Sequence, residues 1–439
     1  MMRPWTAIAI FGMQIASLRQ SETEASYRLV LKNNISIPRP AFLSLPCVDY
    51  GKMAQGPCPK PLEDILLATS FGPTGKPGIY MMKNLSSSNP VPHLIPGTDK
   101  DLVWPNGLTP VPSSAKMILG DGFLVPGKST GGIYTVDLAD EEATSAVKRI
   151  SPSESGWFYH VGYPYDVDRD GDLDIVAARA KSPPVLPWKE KEGELVWLEN
   201  PGSENDGGDW ALKPLVQGQG APDFLFDARI LPGSSGNYSR LQIAAPEYYG
   251  ERLVLYTEKK RQPQDPLEFD VRVVDANLGH GFACSWVDLN RDGNLELLAT
   301  NHKIRGGAVY AYEWAHGVNP SEADPIARHV LADGFHATKP LPGFASPGKA
   351  SEVLPHGNSS TLPHIIVSAD NENDVFHLIP VLDAAGKFEF QYTKEKLPEA
   401  VGSDIGQIAV GDTDGDGFAD VYVPLYDSDI VLHYEFELN

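Results

Sequence analysis

The sequence predicts an all-β chain, folded as a single seven-bladed β-propeller with calcium-binding loops in at least three blades. Three observations carry this reading. A strand–turn–strand phrase returns seven times along 439 residues, three acidic segments of one pattern sit immediately before it, and no long stretch keeps a 3.6-residue apolar period.

The phrase begins with short β-branched runs at Ile65–Thr69, Met117–Gly120, Leu173–Ala180, Leu241–Pro246, Leu295–Asn301, His364–Ala369 and Ala419–Pro424. Each is followed by a turn and a second, more aromatic run, starting at Gly78, Gly132, Glu194, Arg252, Ala308, Asp374 and Asp429. The units start about 50 to 70 residues apart, the length that four short antiparallel strands and their loops require. One such sheet leaves both faces uncovered, and stacking seven in a ring covers them. Two β-sandwiches, the rival architecture, give no reason for a sevenfold phrase. The predicted propeller spans 27–439, and Tyr27–Ile35 reads as a lone strand that pairs with the last blade to close the ring.

The acidic segments are Asp166, Asp168, Asp170, Asp172 and Asp174; Asp288, Asn290, Asp292, Asn294 and Glu296; and Asp412, Asp414, Asp416, Phe418 and Asp420. Oxygen-bearing side chains fall at positions 1, 3, 5 and 9, glycine at 6, and the position-7 residue offers its carbonyl. That set suits a hard divalent cation in a flexible all-oxygen cage, Ca²⁺ above Mg²⁺ or zinc. An EF-hand would place a bidentate Glu at position 12, where this chain has Ala177, Ala299 and Val423, and would be flanked by helices.

Lys+Arg 36 against Asp+Glu 58 gives a formal charge of −22. Such a field repels nucleic acid, and no basic cluster offsets it. Residues 1–20 read as a secretory signal: Met1-Met2-Arg3-Pro4, an apolar run from Trp5 to Leu18, and small residues at Ala16 and Ser17. No later run approaches a membrane-spanning length. Sequons at Asn34, Asn84, Asn237 and Asn358 agree with a secreted glycoprotein. Cys47 and Cys58 flank a Pro/Gly-rich segment and read as a local disulfide, whereas Cys284 lies inside an apolar strand and reads as a buried small hydrophobe.

The acidic loops and the strands after them resemble the FG-GAP/VCBS repeats of integrin α-chain propellers and related secreted proteins. The phrase Val196-Trp197-Leu198-Glu199-Asn200-Pro201-Gly202, with Trp210 beyond it, resembles the propeller portion of fungal aldos-2-ulose dehydratase. The first resemblance implies that the calcium ions are structural. The second implies lyase or isomerase chemistry.

A propeller offers ligands the mouth of its central channel. Counting back from the first aspartate of each acidic loop places Phe158, His280 and Asp404 eight residues before it, and His160, Phe282 and Gly406 six before it. His160, His280 and Asp404, with Tyr159 beside them, are therefore the candidate acid–base residues. A zinc site built from His160, His280 and Asp404 is a lesser alternative, and both imidazoles can equally serve as packed strand residues. His336 and Trp104–Asn106 approach the mouth from other blades. The expected function is a secreted enzyme holding a small, carbohydrate-like or secondary-metabolite molecule in the channel for a dehydration, isomerisation or hetero-Diels–Alder type cyclisation. The alternative is a lectin, which would repeat one pocket from blade to blade. The repeats diverge outside the metal loops: Gly233–Asn237 stands where acids would be in blade 4, and blade 6 has no acidic loop.

Overall fold

A computed structural model describes residues 26–46, 64–72, 77–87, 89–112, 114–122, 130–139, 146–181, 192–202, 209–218, 225–231, 240–262, 265–341, 343–357 and 361–439. They form seven four-stranded antiparallel sheets. Blade 1 comprises Pro40–Ser44, Ile65–Ser70, Gly78–Lys83 and His93–Leu94; blade 2, Pro105–Pro110, Lys116–Asp121, Gly132–Asp137 and Val147–Arg149. Blade 3 comprises Trp157–Tyr165, Asp174–Lys181, Glu192–Glu199 and Ala211–Gln217; blade 4, Asp227–Leu231, Arg240–Glu247, Arg252–Glu258 and Phe269–Asp275. Blade 5 comprises Gly281–Val287, Glu296–Asn301, Arg305–Glu313 and Ala327–His336; blade 6, Ala350–Val353, His364–Ser368, Asp374–Leu382 and Phe388–Val401. Blade 7 takes Ala409–Gly411, Asp420–Leu425 and Ile430–Leu438 from the C-terminal end.

The fourth strand of blade 7 is Tyr27–Ser36, antiparallel to Ile430–Leu438 from Tyr27↔Leu438 to Ser36↔Ile430. The ring therefore closes by pairing one end of the chain with the other, as the isolated strand predicted. The seven apolar runs become the second strand of each blade and their aromatic partners the third. Among the described residues the helices are a single turn at Thr98–Asp101 and a 3₁₀ turn at Tyr426–Ser428, and none is long and apolar enough to cross a membrane.

Burial explains the sequence pattern. The second strand of a blade is packed on both faces, so Glu296–Asn301 and Asp420–Leu425 are buried at every position and read as unbroken apolar runs. Outer strands such as Phe269–Asp275 have no fully buried position and border solvent. Among the described residues, seven hydrophobic clusters fill the spaces between blades. One joins Ile118 and Ile133 of blade 2 to Trp157, Tyr159 and Val196 of blade 3, and another joins Leu43 and Leu66 of blade 1 to Tyr422 and Val431 of blade 7.

The signal segment, Cys47, Cys58, Asn237, Asn358 and the Gly233–Asn237 segment lie outside the described residues. Asn34 and Asn84 are exposed. Cys284 is buried and donates to the Ala244 carbonyl at 3.2 Å, as its apolar setting predicted.

Candidate active site at the channel mouth

The inner strands of all seven blades run side by side, and a narrow channel passes between them, lined from Leu43, Leu108, Val161, Phe226, Ser285, Ala350 and Ala409. Where these strands begin, the channel widens into a cavity of about 480 Å³. Its walls come from the first residues of the inner strands and from the loops that follow the second strands.

A shared irregularity builds this mouth. In blades 1, 2, 3 and 5 the inner strand carries one extra residue against its neighbour, between Pro40 and Leu43, Pro105 and Leu108, Tyr159 and Gly162, and Gly281 and Cys284. Such bulges re-aim side chains next to binding sites. In this chain they fall at Phe42, Asn106, His160 and Phe282, and three of these line the cavity; Asn106 instead is fully buried and donates from Nδ2 to the Tyr159 carbonyl at 3.1 Å. The bulge at His160 needs glycine opposite it: a Cβ on Gly120 would stand 2.6 Å from the His160 carbonyl carbon and oxygen.

One wall is aromatic. Phe71 lies 4.2 Å from Trp104 and 5.7 Å from Tyr426, centroid to centroid, with Phe42 at 6.3 Å. Across the mouth, Tyr248 and Tyr249 meet at 5.1 Å, and Phe282 packs on His302 at 4.7 Å. Offset and tilted ring packing of this kind gives a rigid apolar wall.

The polar groups sit among these rings. His302 Nε2 lies 2.8 Å from Asp370 Oδ2, joining the loop after the second strand of blade 5 to the matching loop of blade 6. His302 is 7% exposed, and its Nδ1 is buried without a hydrogen-bond partner among the described residues. The Asp370 carboxylate orients the imidazole through Nε2, the arrangement of a carboxylate-oriented histidine. Asp370 has a left-handed backbone, φ 46°, a conformation that a non-glycine residue holds only where its surroundings enforce it. Trp104 Nε1 is likewise buried without a partner among the described residues. Asp404 accepts from Asn373 Nδ2 at 3.2 Å, and burial, reinforced by Asp370 and Asp427, pushes its carboxyl above the usual range.

The expected residues divide. His160, Asp404 and Trp104 line the cavity. His160 is 2% exposed, and burial pulls its imidazole down to about 3, so it is neutral at physiological pH. His280 precedes the inner strand of blade 5. Its ring stacks on Tyr248 at 4.7 Å with Nδ1 3.0 Å from the Tyr248 carbonyl, and it does not line the cavity. Tyr159 faces the opposite side of its strand from His160, as alternation requires. It packs between blades 2 and 3, its hydroxyl accepting from Arg179 at 3.2 Å. His336 is exposed at the end of an outer strand, next to Glu372 at 3.4 Å. His160, His280 and Asp404 form no shared ligand set among the described residues. Inner-strand spacing does not reach His302 and Asp370, because these two residues sit after second strands, 68 positions apart.

The acidic loops close the other face of the ring, linking inner to second strands in blades 3, 5 and 7. At about 3.3 Å per residue, the six positions from His160 to Asp166 put the blade 3 loop about 20 Å from the mouth. The three loops share one conformation. Position 1 accepts the position-6 amide: Asp166 from Gly171 at 3.2 Å, Asp288 from Gly293 at 3.0 Å and Asp412 from Gly417 at 3.0 Å. Position 9 accepts the position-2 amide: Asp174 from Val167 at 2.9 Å, Glu296 from Leu289 at 2.9 Å and Asp420 from Thr413 at 2.8 Å. Positions 4 and 6 are left-handed throughout, Arg169, Arg291 and Gly415 with Gly171, Gly293 and Gly417. Ligand oxygens of Asp166, Asp168 and Asp174 lie within 4.8 Å of one another, as do those of Asp412, Asp414 and Asp420. Carboxylates so close repel unless a cation or protons lie between them, and an all-oxygen donor set fits Ca²⁺.

No protein-family description matches the chain, and no curated protein matches it. The seven-bladed β-propeller is therefore the class that its own geometry defines.

Proposed function

We propose that the chain is a secreted, calcium-stabilised propeller enzyme that holds one small molecule in the channel mouth and moves a proton on it. The reaction class is a lyase, isomerase or cyclase acting on a carbohydrate-like or secondary-metabolite substrate. The observation that carries this is the His302–Asp370 pair at 2.8 Å, its free nitrogen buried in the wall of an aromatic cavity.

The aromatic wall orients the substrate and excludes water, which strengthens every polar interaction inside. Once substrate binding uncovers its Nδ1, His302 takes a proton from carbon or hydroxyl, and Asp370 stabilises the imidazolium that forms. Asp404, with its raised carboxyl, returns a proton to a leaving oxygen or to a second carbon. Neutral His160 offers a hydrogen bond and no charge. Positioning with one base and one acid suffices for eliminations, isomerisations and cyclisations. The FG-GAP/VCBS resemblance supports a structural role for calcium, and the distance of the loops from the mouth agrees with it.

The lectin alternative calls for one pocket repeated between blades. Each blade instead contributes different side chains to one mouth, which favours a single site. The test is to incubate the purified chain with small-molecule extracts of its source and to follow retained and altered compounds by mass spectrometry. One ligand per chain, converted with time, supports the enzyme; several unaltered sugar equivalents per chain overturn it.

A further inference from the structure

We propose that Lys349 forms a Schiff base with the carbonyl group of the molecule held in the mouth, so that the substrate is an aldehyde or a ketone. This deepens, and rests on, the proton-transfer reading. Three residues, Leu225, Lys349 and Gln407, line both the mouth cavity and the narrower channel beneath it. They form the floor of the mouth, and of the three only Lys349 carries a nucleophile.

The lysine is held where it stands. The Gly348 amide donates to the Ser368 carbonyl at 2.8 Å and the Lys349 amide to Ser368 Oγ at 3.1 Å. A Cβ at Gly348 would meet Ser368 Oγ at 2.5 Å, so the backbone sits hard against the second strand of its blade. The groups within electrostatic reach of the ammonium are Asp227, Cys284 and Glu352, all lining the channel below. Asp227 is committed to the amides of Trp286 at 3.0 Å and Ala228 at 2.9 Å. Burial lowers the Lys349 pKa against the pull of these groups. Every tenfold weakening of the ammonium's hold on its proton raises the neutral, nucleophilic fraction about tenfold.

The step balances. The ammonium passes one proton to water in the channel, and the free amine adds to the carbonyl carbon. The resulting hydroxyl recovers that proton and leaves as water. In sum, a carbonyl compound and Lys–NH₃⁺ give an iminium and water, with atoms and charge conserved. The iminium then acidifies the neighbouring C–H, the kind of proton that His302 is placed to remove.

The test uses the full chain in calcium-containing buffer at neutral pH, with dihydroxyacetone as the carbonyl probe and cyanoborohydride to reduce any imine. Peptide mass spectrometry then gives the rate of modification at each lysine. Lys349 is expected to be labelled faster than the exposed Lys100 and Lys260, and Lys349→Arg should remove that fast label. Equal rates at the three lysines in the wild-type chain overturn the proposal, whether or not the variant folds. His302→Ala should retain the fast label at Lys349. Proton exchange on substrate carbon that depends on His302 and persists in Lys349→Arg would sink the Schiff base and leave the proton-transfer reading standing.

Discussion

If the acidic loops hold calcium as proposed, stripping it should lower the stability of the whole ring. In blade 3 the loop ties three strands together: Asp174 accepts from Val167 before it and from Asn200, beyond the third strand, at 2.8 Å. In blade 7, Asp420 meets His433 of the third strand at 2.7 Å. Losing the ion therefore leaves mutually repelling carboxylates at the hinge of each sheet. A site holding ligand at 100 times its Kd contributes about 2.7 kcal/mol, so three contribute about 8 kcal/mol. With about 2.1 cal/mol/K of unfolding entropy per residue over 439 residues, that corresponds to a fall in Tm of about 9 °C. Thermal unfolding followed by tryptophan fluorescence, in millimolar calcium and then in excess EGTA, measures it. Asp412→Asn should remove about a third of the effect, and a calcium titration should show three equivalents. A Tm that EGTA leaves within about 1 °C of the calcium-loaded value would refute the reasoning, since that is far below the change even one site confers.

At the mouth, His302→Ala should reduce turnover about 10²- to 10⁴-fold, the usual worth of a positioned base. Asp370→Asn should reduce it less, with both melting temperatures nearly unchanged in calorimetry. Gly120→Ala forces a methyl to 2.6 Å from the His160 backbone, and urea denaturation should show a loss of about 1–3 kcal/mol. His160 has a folded pKa of about 3, against 6.5 for an imidazole in water. The unfolded chain thus binds the extra proton, and the stability due to neutral His160 is full above pH 6.5 and is lost as pH falls toward 3. Between pH 6.5 and 5 that is about 2 kcal/mol. Asp121 and Asp227, both pushed up to about 6 by burial, gain stability over the same acid range and oppose it. The diagnostic quantity is therefore the difference between wild type and His160→Gln in chemical denaturation at the two pH values; parallel losses would discard the neutral buried imidazole.

The ring was legible because its second strands are buried on both faces. Double burial writes itself as runs such as LELLATN, and the loop glycines write the left-handed turns beside them. The fourth strands, including Phe388–Val401 with its alternating exposure, repeat no phrase, since solvent constrains them less than a neighbouring blade does. The site was legible only in part. His160 and Asp404 follow from the register of inner strands, and so does Trp104 in outline. Tyr159 and His280 do not, because alternation turns the first into the interblade core and the second stacks on Tyr248 with Nδ1 toward the Tyr248 carbonyl. His302 and Asp370 meet across two blades, a juxtaposition that belongs to ring closure and leaves no local pattern. The left-handed Arg169 and Arg291 in the acidic loops were equally silent, since arginine gives no hint of a conformation usually left to glycine or asparagine.

Carbon-bound hydrogen reports most directly on proton transfer at the mouth. The molecule retained by the chain, returned to it in D₂O and followed by NMR, should take up deuterium at one carbon position, at a rate that collapses in His302→Ala and falls in Asp370→Asn. Deuterium at no carbon, or uptake that His302→Ala leaves unchanged, would contradict the account.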